Sequence, residues 1–197
     1  ETDRGTLPAL LTPDVGEGFP SLWFVAFFGL HGLVVATAVL AVFGKLRDLD
    51  GKTIIVTGAN TGIGRVTAEV FAKRGAKVFL ACRSREKTEP VIDAIRAAGG
   101  KAELLRLDLG SFDSIRRAAS DFLASGEKLD VLVNNAGLAG AHGKTSDGFE
   151  LIIGTNHLGP FLFTLLLLPR LRESAPARIV NVSSGSHYDA KSIPFER

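Results

Sequence analysis

Thr57-Gly58-Ala59-Asn60-Thr61-Gly62-Ile63-Gly64 joins a β-branched run, Thr53 to Thr57 (TIIVT), to a segment with helical spacing, and this junction restricts the fold more than any other stretch. Glycine carries no Cβ and accepts positive φ, so such a turn lets backbone approach a bound group closely. The N–H groups that open the next helix can then hold the charge of a pyrophosphate. Gly58, Asn60, Thr61, Gly62, Ile63 and Gly64 are the candidate contacts. An ordinary strand-to-helix loop would use the same glycines, so the rest of the chain has to decide.

The same alternation continues downstream. The helical segment places Ile63, Val66, Val70 and Phe71 on one face and stops at Gly75. Lys77 to Ala81 reads as a second strand, and a helix through Val91, Ile92 and Ile95 ends at Gly99-Gly100. A third strand runs to Leu107, followed by a helix with Phe112, Ile115, Ala119, Phe122 and Leu123 on one side. Leu129 to Val133 and Arg178 to Val182 give two more strands, with a long helical region between them. Strands alternating with helices argue for an α/β fold, a doubly wound parallel sheet covered on both faces.

Composition excludes several classes. Apolar residues make up 46% of the 197 and charged residues 22%, which rules out a disordered or collagen-like chain. A net charge of +2 gives no broad electrostatic reason to expect nucleic acid. Cys82 is the single cysteine, so no internal disulfide forms, and no His/Cys cluster has zinc spacing; no metal is expected and the folded part should face a reducing compartment. The chain opens on Glu1 and contains no Met, so it is expected to be a piece of a longer product.

Residues 18–44 contain no Asp, Glu, Lys or Arg, and apolar side chains occur on every helical side. Roughly 20 residues of helix cross a hydrocarbon core about 30 Å thick, so the segment is long enough to span a bilayer. Asp14 and Glu17 precede it where a signal peptide would be basic, and Trp23 suits an interface. Arg4 alone is basic before the span, whereas Lys45, Arg47 and Lys52 follow it, placing the C-terminal side in the cytosol. The expected organisation is a tail (1–17), a single-pass membrane anchor helix (18–44) and a dinucleotide-binding domain (50–197). Leu151 to Pro169 is also apolar, but Asn156, His157, Gly159 and Pro160 make it read as a buried helix rather than a second span.

Further motifs fall on the expected elements. Asp108-Leu109 follows the third strand, Asn134-Asn135-Ala136-Gly137 the fourth, Asn156-His157-Leu158-Gly159 lies on the next helix, and Ser183-Ser184 ends the fifth strand. With the TGxxxGxG turn, these motifs resemble the short-chain dehydrogenase/reductase family over roughly residues 50–197. The wording ACRS at 81–84, the segment GKTSDGFE at 143–150 and the anchor resemble its membrane-bound retinol dehydrogenase group. That resemblance implies a Rossmann-like fold, oxidoreductase activity on an apolar alcohol or carbonyl such as retinol or retinal, and an endoplasmic-reticulum membrane if the source is eukaryotic. It also allows a homodimer. It implies that Asp108 meets the adenine end of the coenzyme and that Asn135, Ala136 and Gly137 pass beneath its ribose.

A carboxylate at the end of the second strand would bond the free ribose 2′-hydroxyl of NAD and repel the extra phosphate of NADP. No acidic residue lies between Glu69 and Glu86, and the strand ends in Cys82-Arg83-Ser84-Arg85. Arg83 offers a planar, permanently charged donor set suited to a phosphate, with Arg65 as a second candidate. The expected coenzyme is therefore NADP, with NAD the lesser choice.

Hydride transfer at nicotinamide C4 needs a group that moves the hydroxyl proton and a donor that steadies the carbonyl oxygen. The family uses a Tyr-x-x-x-Lys pair with Ser and Asn; by position Ser184 would orient the substrate, ahead of Ser183, and Asn156 would hold the water linking the lysine to solvent. The one tyrosine is Tyr188, and Lys191 lies three residues on rather than four. The catalytic pair is thus expected beyond Arg197, and the 197 residues alone are expected to be inactive. Two other readings are a membrane-bound nucleotide-binding sensor or scaffold, which needs no tyrosine, and a sugar-nucleotide epimerase or dehydratase, which the anchor and ACRS disfavour.

Overall fold

The computed structural model describes residues 49–185 and Tyr188, all within Phe43–Arg197, one of the two units into which the chain divides. The expected anchor at 18–44 and Lys191 lie outside the described residues.

Five strands form one sheet: β1 (Thr53–Thr57), β2 (Lys77–Cys82), β3 (Lys101–Arg106), β4 (Val131–Asn134) and β5 (Arg178–Asn181). Their order is β3-β2-β1-β4-β5 and every pairing is parallel. The connecting helices are α1 (Gly62–Lys73), α2 (Arg85–Ala97), α3 (Phe112–Ala124) and α4 (Leu151–Glu173). Parallel neighbours need crossover connections, and these are right-handed almost without exception. Winding outward from β1 in both directions therefore puts the first two helices on one face and the last two on the other. α1 packs against α2, and α3 against α4.

Period-2 alternation divides the central strands between two cores. Ile55, Phe79, Ala81 and Leu132 join Ile115, Ala119 and Phe122 of α3 with Phe163, Leu167 and Leu171 of α4. Phe79 and Phe122 meet edge to face at 5.1 Å. Ile54, Val56, Val78 and Leu80, the intervening positions, are also buried, as are Phe71 and Ala72 of α1 and Val91, Ile92 and Ile95 of α2. A chain whose strands are buried on both faces reads as short continuous apolar runs, as TIIVT and VFLAC do.

Two helices differ from the expectation. The buried face of α1 is Gly64, Ala68, Phe71 and Ala72, whereas Ile63 and Val66 are 38% and 53% exposed. The start of this helix lies against the β1 turn so closely that a Cβ on Gly64 would overlap the Gly58 carbonyl and the Asn135 side-chain amide. Only small residues fit there, so the larger apolar side chains turn outward. In α4 the buried stripe is Gly159, Phe163, Leu167 and Leu171, while Ile153, Phe161 and Leu165 are exposed. The helix is long and apolar enough to cross a membrane, but one face of it completes the domain core. It is half buried rather than buried throughout.

Candidate functional site

In a sheet of this order the chain leaves β1 toward one edge and β4 toward the other, which opens a crevice at their carboxyl ends. Two of the motifs flank that crevice. Gly58 follows β1 with φ +66, and its N–H donates to the Ala81 carbonyl at 2.9 Å. A side chain there would be strained and would press on Ala136, which follows β4.

Thr57 locks the two motifs together. Its hydroxyl accepts from the N–H groups of Asn135 and Ala136, both at 3.0 Å, and donates to the Val133 carbonyl at 3.4 Å. The Asn135 amide returns a bond to the Thr57 carbonyl at 2.9 Å. The second Asn of the Asn-Asn pair thus fixes the spacing of β1 and β4 below the crevice. The first, Asn134, donates from Nδ2 to Thr164 at 3.0 Å and to Asn181 at 2.9 Å, tying β4 to α4 and β5.

The crevice deepens into a cleft of about 640 Å³, within the range of small-molecule sites. Gly58, Asn60, Arg83, Asp108, Ala136 and Gly137 line it, so six of the proposed coenzyme contacts converge on one cavity. Asn135 is not among its lining residues and is bonded to Thr57 instead. Thr61, Gly62, Ile63 and Gly64 do not line it; they form the N-terminus of α1, where Thr61 is the N-cap and its side chain makes no capping bond. The first N–H groups of α1 therefore have no side-chain acceptor from the cap, as an anion site at a helix start requires.

Arg83 and Arg65 part company. Arg65, the second phosphate candidate, is paired with Glu69 one turn along α1 at 2.7 Å and is not among the cleft residues. Arg83 lines the cleft, and among the described residues no carboxylate is within ion-pair range of it. Asp108 divides its duties: Oδ1 accepts from the Gly110 N–H at 2.9 Å, shaping its own turn, which leaves the second oxygen for another donor.

Asn156 lies in a π-helical turn, Gly154–Leu158, within α4. Such insertions recur at functional sites because they re-aim one side chain. Here Nδ2 donates to the Leu138 carbonyl and Oδ1 accepts from the Leu138 N–H, both at 2.8 Å, so the amide pins the loop beyond β4. One N–H and one lone pair remain for a further partner. A smaller cavity beside it, about 330 Å³, is lined by Asn134, Asn156, His157, Thr164 and Asn181. Ser184 lies exposed beyond β5 and is not among the residues lining it; Tyr188 is exposed.

Other participants left little trace in the sequence. Thr155 lines the main cleft with a buried Oγ1 that has no hydrogen-bond partner. Lys87 and Lys144 also line it. Ser146 donates from its N–H and its hydroxyl to the Gly110 carbonyl, at 3.1 and 3.0 Å, which draws the 143–150 segment over the cleft wall. A Thr beside a motif Asn and lysines spaced along separate loops carry no pattern of their own. Cys82 lies beneath the turn, and burial pushes its thiol pKa up.

The donor set fits a dinucleotide. Backbone N–H groups at the start of α1 carry no capping side chain, the Arg83 guanidinium lines the cleft without a carboxylate partner among the described residues, and the orphaned Thr155 hydroxyl belongs to a residue of its wall.

A family model described as short chain dehydrogenase matches residues 52–191, and a TMEM164 family model matches residues 4–64. Human retinol dehydrogenase 11 is 54% identical over 144 residues, covering 72% of this chain and 45% of the relative. Bovine dehydrogenase/reductase SDR family member 13 is 50% identical over 166 residues, covering 79% of this chain and 44% of the relative. A metagenomic short-chain oxidoreductase solved in complex with NADP superposes with a TM-score of 0.62 at 36% identity, covering 69% of this chain and 63% of that one. The chain spans less than half the length of these two curated relatives.

Proposed function

Because the chain belongs to the short-chain dehydrogenase/reductase family, we propose that it is the coenzyme-binding part of an NADP(H)-dependent oxidoreductase acting on an apolar alcohol or carbonyl of the retinol/retinal kind. The convergence of Gly58, Asn60, Arg83, Asp108, Ala136 and Gly137 on one cleft carries this reading. The N–H groups at the start of α1 hold the diphosphate, Asn135 through Gly137 bed the ribose, and the free oxygen of Asp108 meets the adenine amine. Arg83 selects the 2′-phosphate. Bound nicotinamide would supply hydride exchange at C4; the chain supplies position and exclusion of water.

Asn156 keeps one donor and one acceptor for a water at the reacting end, and Ser184 orients the substrate oxygen. The name of human retinol dehydrogenase 11 and the apolar segment 18–44 support an apolar substrate met at a membrane, with the domain in the cytosol. We place the domain boundaries at 18–44 and 50–197, and a homodimer remains part of this proposal. These 197 residues hold one tyrosine, with Lys191 three positions on, so by themselves they are expected to bind coenzyme without turning it over.

Two measurements test this. NADPH oxidation by the full-length protein with an apolar aldehyde is expected, and no oxidation would contradict the substrate class. Turnover by residues 1–197 alone would contradict the placement of the catalytic pair outside them. A nucleotide-binding scaffold would bind coenzyme and stay inert even at full length.

A further inference from the structure

A second cavity of about 560 Å³ adjoins the coenzyme cleft, and Arg83, Asp108 and Ser111 line both. Its remaining wall includes Arg106, Arg117 and Asp121. The three arginines reach it from three elements. Arg83 follows β2, Arg106 ends β3 as the ladder partner of Cys82, and Arg117 lies on α3. Adjacent strands lie about 4.8 Å apart, so the backbones carrying Arg83 and Arg106 are immediate neighbours.

Among the described arginines, Arg65, Arg85 and Arg170 pair with Glu69, Glu89 and Glu173. Arg117 has Asp113 and Asp121 one turn away on either side, a spacing that favours pairing. Yet among the described residues neither it nor Arg83 nor Arg106 has a carboxylate within ion-pair range. Three uncommitted forks around one concavity, with two acids, leave it a formal charge of +1. A phosphomonoester dianion takes forked donors from more than one guanidinium.

We propose that Arg106 and Arg117 complete, with Arg83, a three-guanidinium bed for the 2′-phosphomonoester of the coenzyme, and so share in setting the choice of NADP(H) over NAD(H). This rests on the coenzyme-binding reading above and adds two specificity-determining residues to it. The ligand follows from continuity: a molecule lying in the main cleft enters this cavity past Arg83, at the end where NADP(H) carries its extra phosphate.

The test is isothermal titration of the 197-residue chain in detergent with NADPH, NADH and 2′,5′-ADP, repeated on Arg83→Gln and on the double variant Arg106→Gln/Arg117→Gln. Both altered side chains of the double variant are exposed, so its melting temperature should match the parent. The expected result is a loss of about tenfold or more for NADPH and 2′,5′-ADP, with NADH within about twofold of the parent. Arg106→Lys should recover part of the loss, since it keeps the charge without the fork. A double variant that binds NADPH as tightly as the parent overturns this proposal and leaves the coenzyme reading standing. A parent that takes up neither coenzyme overturns that reading and this one with it.

Discussion

The Thr57 hydroxyl accepts two backbone N–H groups from the loop after β4 and donates to a third partner on that strand. Thr57→Val keeps the shape and removes the acceptor, leaving the Ala136 N–H without it. A buried donor stripped of its partner costs about 1–3 kcal/mol, so urea denaturation should show a loss of that size. A change under about 0.5 kcal/mol would mean that the loop does not depend on this hydroxyl. Cys82 gives a pH signature. Burial raises its folded pKa above 9.0, so the unfolded thiol ionises first. The corresponding stability is present below about pH 9 and is lost as pH rises toward the folded pKa. Lys77 is raised from 10.5 by its bonds to Glu103 and Glu127, so its effect has the same sign at higher pH. Between pH 9 and 10 the decline is expected in the parent and should flatten in Cys82→Ala; an unchanged decline would assign it elsewhere. Neither role was legible in the sequence, because the Thr57 contacts span 76 to 79 positions and a buried cysteine looks like any small apolar residue in a strand.

The central strands were legible because each is a short apolar run closed by a turn signal, and TIIVT matches β1 residue for residue. Helix faces were less so. In α1 the large residues Ile63 and Val66 gave the periodicity, but close approach to the turn reserves the inward face for Gly64, Ala68 and Ala72. Gly64→Ala should therefore destabilise by about 1–3 kcal/mol, the usual result of overpacking, where a helix-propensity argument alone expects a gain. In α4 the π-helical turn adds a residue that no 3.6 spacing reveals, and it decides where Asn156 points. Phe163→Ala should cost about 3–5 kcal/mol, whereas Phe161→Ser should stay within about 0.5 kcal/mol, both read by denaturant midpoint. Equal costs would mean that the exposed face of this helix is also covered. At the opposite, amino-terminal end of the strands, Asp130 accepts from the Thr53 N–H at 2.9 Å and pairs with Lys52 at 2.7 Å, while its own backbone bonds β1 and β5. That cluster holds strands together far from the crevice and belongs to stability rather than to binding.

At the scale of the whole domain, the order β3-β2-β1-β4-β5 makes the crevice, and the crevice gives scattered motifs a common purpose. The glycine turn, Arg83, Asp108 and the Asn-Asn-Ala-Gly loop were each legible as fragments; their meeting in one cleft follows from crossover handedness and strand order. Arg106 and Arg117 were not legible, since isolated basic residues on an edge strand and a helix carry no motif. Asn156 and Ser184 do not line a shared cavity among the described residues, so the reacting end of the site is less complete in these residues than the binding end. The central claim is that the turn between β1 and α1 grips a diphosphate. Equilibrium titration of the 197-residue chain with NADPH and NADH reads it directly: one coenzyme per chain is expected, with NADPH bound about tenfold or more tightly than NADH, and failure to take up either at millimolar concentration would contradict it.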